Sequence, residues 1–289
     1  MNWSKAKTIL IVVFLLADIF LFHVSYSGNL GNSSEKDNVI QVLEYLKNRD
    51  IIVKSLIPNK GNPSTQIYVK YKMLNPEEAI ESFFNSDTNV FIREDENKIT
   101  VENNHIAIEI FKNGEIIYLN KSIDNAGNSN LIEMQAERII DDFLKSINID
   151  RDDTIIINKV IEDNSINIMY NQVYKNQFID KTFLDMKVTN NGVAYMKMLW
   201  FESIENGKTK NEVIPPTKAL LKLAELYKDM EGTITVEDIS QGYYFSSNIE
   251  QPFSIKFVKE GTAIPVWRIK TNLGKIYINA YNGTIEEKF

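Results

Sequence analysis

An apolar run near the N-terminus is the sequence feature that most restricts the architecture and location of this chain. From Ile9 to Val24 the sequence reads ILIVVFLLADIFLFHV, and thirteen of these sixteen residues are Ile, Leu, Val or Phe. Such a run directs a chain to a membrane. As a helix it would measure only ~22 Å, against a hydrocarbon core of ~30 Å, so its length alone permits either an anchor or a cleaved signal peptide.

The flanks of the run favour the anchor. Trp3 and Tyr26 would lie about 35 Å apart on a helix, a separation that places one aromatic residue at each membrane interface. Lys5 and Lys7 can reach the inner membrane surface. Ser25-Tyr26-Ser27 is still a usable cleavage site, so the signal peptide stays open as the alternative. We predict a cytoplasmic N-terminus at 1–8, a single transmembrane helix at 9–26, a polar tether at 27–37 and an extracytoplasmic remainder.

Asp18 is an ionisable residue inside this run. An aspartate near the bilayer centre costs about 2.5 to 3.5 kcal/mol, while the thirteen apolar residues return roughly 4 to 8 kcal/mol, so the helix can still insert. One interpretation is that Asp18 contacts a partner helix, and the other is that it stays hydrated near the outer interface. The predicted partner-binding residues of the membrane helix are Phe14, Asp18, Leu21 and Phe22.

The outer part of the chain has the periodicities of an α+β protein with antiparallel sheets. Helical spacing predicts a first helix from Asp37 to Asn48, and Asn75-Pro76-Glu77-Glu78 is typical of a helix start. The polar segment Ser122 to Asn130 is the best domain boundary, and it divides the outer part into domains at 38–122 and 131–289. In the second domain we predict strands including Thr154 to Ile161 and Phe178 to Val188, and a helix from Lys218 to Met230.

A short pattern occurs twice in this second domain. Thr189 to Tyr195 and Thr271 to Tyr277 both read T-N-x-G-x-x-Y, and a predicted helix precedes each at a similar offset. The pattern suggests two units of a helix followed by an antiparallel meander, at 131–213 and 214–289. The alternative is that two unrelated hairpin turns have similar sequences by chance, because the chain is rich in asparagine.

Composition excludes several classes of protein. A net charge of −7 disfavours nucleic acid as a partner, and the absence of cysteine excludes disulfides, thiolate metal sites and cysteine nucleophiles. With His23 and His105 as the two histidines, a histidine-based metal cluster is not expected. Adjacent acids such as Asp152-Asp153 point in different directions and make poor catalytic pairs. We therefore predict no catalytic, cofactor-binding or metal-binding residues and no cofactor.

Both ends of the chain resemble the YycI (WalI) family. Met1 to Thr8 runs directly into Leu16-Ala17-Asp18-Ile19-Phe20-Leu21, and near the C-terminus Pro265 to Ile269 is followed by Tyr277 to Ile285. Asn2 departs from the family, in which an aspartate is expected at that position.

The resemblance implies a non-enzymatic, single-pass accessory protein of the Gram-positive cell membrane. Such a protein would act with a sister protein, YycH, on the sensor histidine kinase WalK (YycG) of the cell-wall two-component system, partly through transmembrane helices. The alternative is a secreted or anchored envelope hydrolase, or an exported binding module, without recognised motifs. A cleft with converging perturbed carboxylates would favour that alternative.

Overall fold

The computed structural model describes residues 32–84, 89–123, 133–162, 164–246, 248–251 and 254–288. Within these ranges no helix is long and apolar enough to cross a membrane. The predicted transmembrane helix at 9–26 lies outside the described residues, as does most of the predicted boundary segment. Both remain predictions.

Four α-helices are present in the described part, and the second of them begins at a local capping signal. The predicted start at Asn75 is confirmed: its side chain accepts a hydrogen bond from the Glu78 backbone N–H at 2.8 Å, and the Glu78 carboxylate accepts one from Asn75 N at 3.2 Å. This reciprocal capping satisfies two backbone donors that a helix end leaves free. The helices are α1 (Asn32–Lys47), α2 (Pro76–Phe83), α3 (Glu133–Ser146) and α4 (Pro216–Leu226).

Two predicted helix boundaries were wrong. Helix α1 begins at Asn32, not Asp37, so part of the predicted tether is helical. Its first residues, NSSEKD, contain no apolar side chain, and a periodicity argument cannot detect such a turn. Helix α4 ends at Leu226 instead of Met230, and Met230 N bonds to Tyr227 O in a turn.

The strands form one large sheet in which antiparallel pairing dominates, which confirms the mixed α/β character. Its order is β12-β2-β16-β13-β9-β8-β10-β11-β6-β5-β4-β3, with β7 on β8, β1 on β13, β17 on β16 and β18 on β17. Parallel pairs occur between β1 and β13 and between β13 and β9. The strands are β1 (Ile51–Val53), β2 (Ile67–Tyr71), β3 (Phe91–Glu94), β4 (Lys98–Glu102), β5 (Ile106–Phe111), β6 (Ile116–Asn120), β7 (Thr154–Glu162), β8 (Ser165–Tyr174), β9 (Gln177–Ile179), β10 (Phe183–Thr189), β11 (Gly192–Leu199), β12 (Phe201–Asn206), β13 (Ile234–Tyr244), β16 (Glu260–Thr271), β17 (Gly274–Asn279) and β18 (Ile285–Lys288), and a separate pair is formed by β14 (Asn248–Gln251) and β15 (Ser254–Phe257).

Strand pairing joins early and late parts of the chain. Strand β2 lies between β12 and β16, β1 pairs with β13, and β6 pairs with β11. Helices pack into two of the apolar cores of this sheet. Helices α2 and α3 contribute to one core with β4, β5, β6, β8, β10 and β11, and α1 and α4 contribute to another with β1, β13, β16 and β17. The division into domains at 38–122 and 131–289 stays a prediction.

The repeated T-N-x-G-x-x-Y pattern forms two hairpins with the same hydrogen bonds. Thr189 Oγ1 donates to Gly192 O at 3.2 Å and accepts from Asn191 N at 3.2 Å. Thr271 Oγ1 makes the corresponding bonds to Gly274 O and from Leu273 N, both at 3.1 Å. Both glycines have positive φ, 126° and 128°. The hairpins are thus locally alike, and superposition of the whole units stays a prediction.

The predicted strand from Phe178 to Val188 was wrong in one respect, because it breaks after Ile179. Strand β9 ends there and β10 begins at Phe183. Between them Lys181 has φ 68°, and Thr182 Oγ1 donates to Ile179 O at 2.8 Å. Asp180 is a residue type that turns favour, but no glycine, asparagine or proline accompanies it, and the apolar residues on either side read as one strand.

Candidate functional site

The predicted partner-binding residues belong to the part of the chain that the structure does not describe. Phe14, Asp18, Leu21 and Phe22 all lie before residue 32. Their role in binding a partner helix stays a prediction.

The histidine of the outer part does not have the surroundings of a hydrolase. His105 Nδ1 lies 2.6 Å from Ser122 Oγ, and both residues are exposed. Among the described residues no carboxylate is hydrogen-bonded to this imidazole, whereas a Ser/His/Asp hydrolase needs an acid to orient the base. The same part of the chain contains no group of three His, Asp or Glu that could hold a metal ion.

A polar cleft of about 410 Å³ lies between the start of β7 and the ends of β8 and β11. Lys72, Asp153, Gln172, Trp200 and Glu202 are among its lining residues. Burial lowers the pKa of Lys72, and burial together with the nearby Asp150 and Asp152 raises the pKa of Asp153. The cleft is thus lined by a desolvated lysine and by the carboxylates of Asp150, Asp153 and Glu202, of which Asp153 has a raised pKa. Charged groups held in a cleft in this way form a binding environment.

The sheet around β8, β10 and β11 has one buried face and one open face. Along one row of register partners lie Ile168, Met186, Met196, Tyr118 and Ile108, all buried against α2 and α3. The neighbouring row points the other way and is half-buried or exposed: Asn158, Met169, Asp185, Lys197, Ile117 and Glu109. We call the surface formed by this second row the open face.

Charges on the open face are partly desolvated by apolar neighbours. Burial raises the pKa of Asp185, although Lys197 on the adjacent strand opposes the shift. The Lys197 ammonium lies 3.1 Å from Glu115 and 5.7 Å from the centroid of the Phe183 ring. A surface of apolar side chains with paired charges between them is of the kind that forms protein–protein contacts.

A groove of about 710 Å³ runs between the open face and the β16–β17 hairpin. Ile157 and Met169 line one side, and Lys275 and Tyr277 line the other. The Tyr277 hydroxyl donates to Asp180 Oδ1 at 2.6 Å, and both side chains are buried. Burial is the main cause of a strongly raised Tyr277 pKa, and the Asp180 charge adds to it. The hydrogen bond fixes the turn before β10 against the hairpin.

Sequence reasoning missed this groove. In the sequence, Tyr277 is the last residue of the repeated pattern, and Asp180 lies inside the predicted strand from Phe178 to Val188. The pairing of Asp180 with a tyrosine almost a hundred residues later depends on the sheet order. No local signal could have indicated it.

Comparison with known proteins gives a family and a fold. A family model described as YycI protein matches residues 30–281. No curated protein matches the chain. Among solved structures, an uncharacterized protein from Eubacterium rectale ATCC 33656 is similar with a TM-score of 0.56 at 12% identity, over 83% of this chain and 91% of that one. The C-terminal domain of Bacillus megaterium YpeB matches with a TM-score of 0.38 at 13% identity, over 75% of this chain and 97% of that one.

Proposed function

This chain belongs to the YycI family, and from that premise we propose that it is a membrane-anchored accessory protein that regulates the sensor histidine kinase of the cell-wall (WalK/YycG) two-component system. The observation that carries the proposal is the family match, which extends over residues 30–281 and thus most of the chain. The protein would act together with a YycH-like sister protein and would not itself be an enzyme.

Anchoring through the segment at 9–26 is part of the proposal. The N-terminus would be cytoplasmic and the described part extracytoplasmic, on the cell membrane of a Gram-positive bacterium. The apolar run and its basic flank support this arrangement. It predicts that protease reaches the outer part on intact protoplasts while the chain stays with the membrane after carbonate washing.

Regulation requires that the protein bind two signalling states of the kinase with different affinity, because only differential binding shifts an equilibrium. We place one such contact on the membrane helix at Asp18, with Phe14, Leu21 and Phe22 beside it. The open face is a second surface suited to a protein partner, since it presents half-buried apolar side chains and paired charges.

The decisive experiment replaces Asp18 with leucine in the full chain. The helix should still insert, because the substitution removes the energetic cost of placing an aspartate in the bilayer. Association with the kinase or sister protein should weaken roughly five- to thirty-fold if one interhelical hydrogen bond is lost. Co-purification from membranes measures this, with Leu15→Ala or Ile19→Ala as the matched control. Normal assembly and signalling by the Asp18→Leu chain would mean that the aspartate is merely hydrated and that the helix contact is elsewhere.

A second candidate, an exported binding module, is favoured by the polar cleft between Lys72 and Asp153. Trp200 lines this cleft and is therefore a natural reporter. Titration with soluble cell-wall fragments should change its fluorescence if the cleft binds them, and Trp200→Phe should abolish that change. A response that also disappears in Asp153→Asn would favour this second function.

A further inference from the structure

We propose that strands β16 and β17 carry a binding site for the phosphate group of a phosphate ester, formed by Arg268, Lys270 and Lys275. No residue of the membrane helix contributes to this site. The proposal therefore does not rest on the proposed function.

The three cationic side chains lie on one face of the sheet. Lys270 is directly opposite Lys275 in the antiparallel pair of β16 and β17, and Arg268 is two residues before Lys270 on the same strand. Side chains two residues apart on a strand share a face, and directly opposed side chains begin only about 4.5 to 5.5 Å apart. The other face of β16 presents Trp267 and Ile269 to the core with α1 and α4. The cations are thus gathered on the face that no helix covers.

The two facing lysines lack a counter-charge. Like charges directly opposite each other destabilise a sheet. Burial lowers the pKa of Lys270, and the charges of Arg268 and Lys275 lower it further, against the opposing effect of Asp238 and Glu237. Among the described residues neither lysine has an ion pair. An anion between them would convert a repulsive contact into an attractive one.

Arg268 is held in a fixed position beside these lysines. Its guanidinium carbon lies 3.7 Å from the centroid of the Phe178 ring, and its Nη2 donates to Ser240 Oγ at 3.1 Å. Ser240 Oγ in turn donates to Asp238 Oδ2 at 3.0 Å. Gly242 makes room for the ring, because a Cβ at this position would lie 2.4 Å from a ring carbon of Phe178. The arginine is therefore oriented before any ligand arrives.

The Arg268 guanidinium has more donors than acceptors. Its Nε is buried and has no hydrogen-bond partner among the described residues. In the same part of the chain only Asp238 has a carboxylate within 4.0 Å of this group, at 3.8 Å from Nη2. The side chain is 10% exposed, so an anion can reach it from the side of the lysines and add a charge-assisted acceptor.

Two other acids near this face are already engaged. Asp180 accepts the hydrogen bond from Tyr277, and Glu287 is ion-paired with Lys181 at 2.9 Å. Neither carboxylate neutralises the lysines of β16 and β17. This face therefore keeps an excess of positive charge, although the chain as a whole has a net charge of −7.

Phosphate is the anion that fits this arrangement. A planar guanidinium binds two phosphate oxygens at once, and lysines add compact positive charges. A phosphate monoester carries nearly two negative charges at neutral pH, which suits three cations better than a single carboxylate does. Lys275 also lines the groove of about 710 Å³ with Tyr277 and Met169, so the organic part of an ester has room beside the site. A soluble ester and a phospholipid headgroup present the same group.

The test uses the full chain in nanodiscs of zwitterionic lipid. Calorimetric titration with glycerol 3-phosphate at low salt should show binding that Lys270→Gln or Lys275→Gln weakens at least tenfold, as expected for the loss of one charge-assisted hydrogen bond. The matched control is Lys187→Gln, because Lys187 on β10 is half-buried and has no ion pair among the described residues. Its affinity should equal that of the parent chain.

Thermal unfolding gives a second readout. At about a hundred times its Kd, glycerol 3-phosphate should raise the Tm by about 4 °C. Without the ester, Lys275→Gln should have a higher Tm than the parent, because the like-charge contact is removed, and it should lose the response to the ester. Nanodiscs with phosphatidylglycerol identify the source: a rise in Tm that Lys270→Gln abolishes indicates a headgroup, and a rise with the ester alone indicates a soluble ligand.

Three results would overturn the proposal. The first is equal affinity of the parent chain and Lys270→Gln for glycerol 3-phosphate. The second is an equal rise in Tm with sodium acetate at the same ionic strength, which would mean that salt only screens the lysines. The third is a lower Tm for ligand-free Lys275→Gln, which would give this lysine a structural role. Circular dichroism establishes that each variant is folded.

Discussion

The hydrogen bond between Tyr277 and Asp180 allows a quantitative prediction. Tyr277→Phe removes a hydroxyl that donates to a buried carboxylate oxygen at 2.6 Å and leaves the ring in place. Hydrogen bonds to charged groups contribute about 1.5 to 3 kcal/mol, and the carboxylate would keep its desolvation cost without this donor. We therefore expect the free energy of unfolding to fall by about 1.5 to 3 kcal/mol.

Thermal unfolding measures this loss. For 289 residues that unfold as one unit, at about 2.1 cal/mol/K per residue, the expected fall in Tm is about 2 to 5 °C. Tyr195→Phe is the control, because Tyr195 is half-buried on the open face and no described residue is hydrogen-bonded to its hydroxyl. Hydrogen exchange should also accelerate at Lys181 and Thr182 in the Tyr277→Phe chain only. Equal Tm values for the two variants would refute the assigned strength of the bond.

Three further predictions concern stability. Burial raises the pKa of Tyr170 from 10.0 to about 12. The neutral phenol therefore contributes about 2 to 3 kcal/mol to the free energy of unfolding, a contribution that is fully present below pH ~10 and is lost as the pH rises towards 12. Urea unfolding at increasing alkaline pH should show that the free energy of unfolding falls less steeply with pH in Tyr170→Phe. Gly242→Ala places a Cβ 2.4 Å from a ring carbon of Phe178, and chemical unfolding should reveal a loss of about 1 to 3 kcal/mol. Thr189→Ala and Thr271→Ala each remove the same pair of hairpin hydrogen bonds, at about 1 kcal/mol, but Thr271→Ala also removes a side-chain hydrogen bond with Tyr227, so in the same assay its loss should be larger by about 0.5 to 1.5 kcal/mol; a Tyr227→Phe background should make the two losses agree, and a large remaining difference would argue against equivalent hairpins.

Features that depend on neighbouring residues were predictable from the sequence. The helix start at Asn75 is one, because capping involves side chains and backbone groups only three residues apart. The hairpins at Gly192 and Gly274 are another, because a glycine with positive φ determines the turn. Periodicity also identified β7 as a strand, since isoleucine and valine favour strands in any position.

Features that depend on distant residues were not predictable. The left-handed Lys181 lies in a turn that long-range contacts stabilise, among them the bond from Tyr277 to Asp180. Its own sequence gives no reason for such a conformation. Likewise, the sequence of β7 indicates burial, while the sheet order places it at an edge. The groove and the open face arise from that order, which is why they could not be derived from local patterns.

The position of β2 between β12 and β16 has a kinetic consequence. A ribosome releases Ile67–Tyr71 long before either neighbour, and the parallel partner of β1 is likewise more than a hundred residues away. Pairing between such distant segments slows folding, because a long loop must close before any contact forms. Strand β2 therefore stays unpaired and prone to aggregation until Phe201–Asn206 has emerged, and β1 until Ile234–Tyr244 has emerged. Strand β2 gains its second neighbour only with Glu260–Thr271. A chain that lost only its last thirty or so residues would leave β2 without one of its two neighbours, so completion of this fold depends on synthesis of nearly the whole protein.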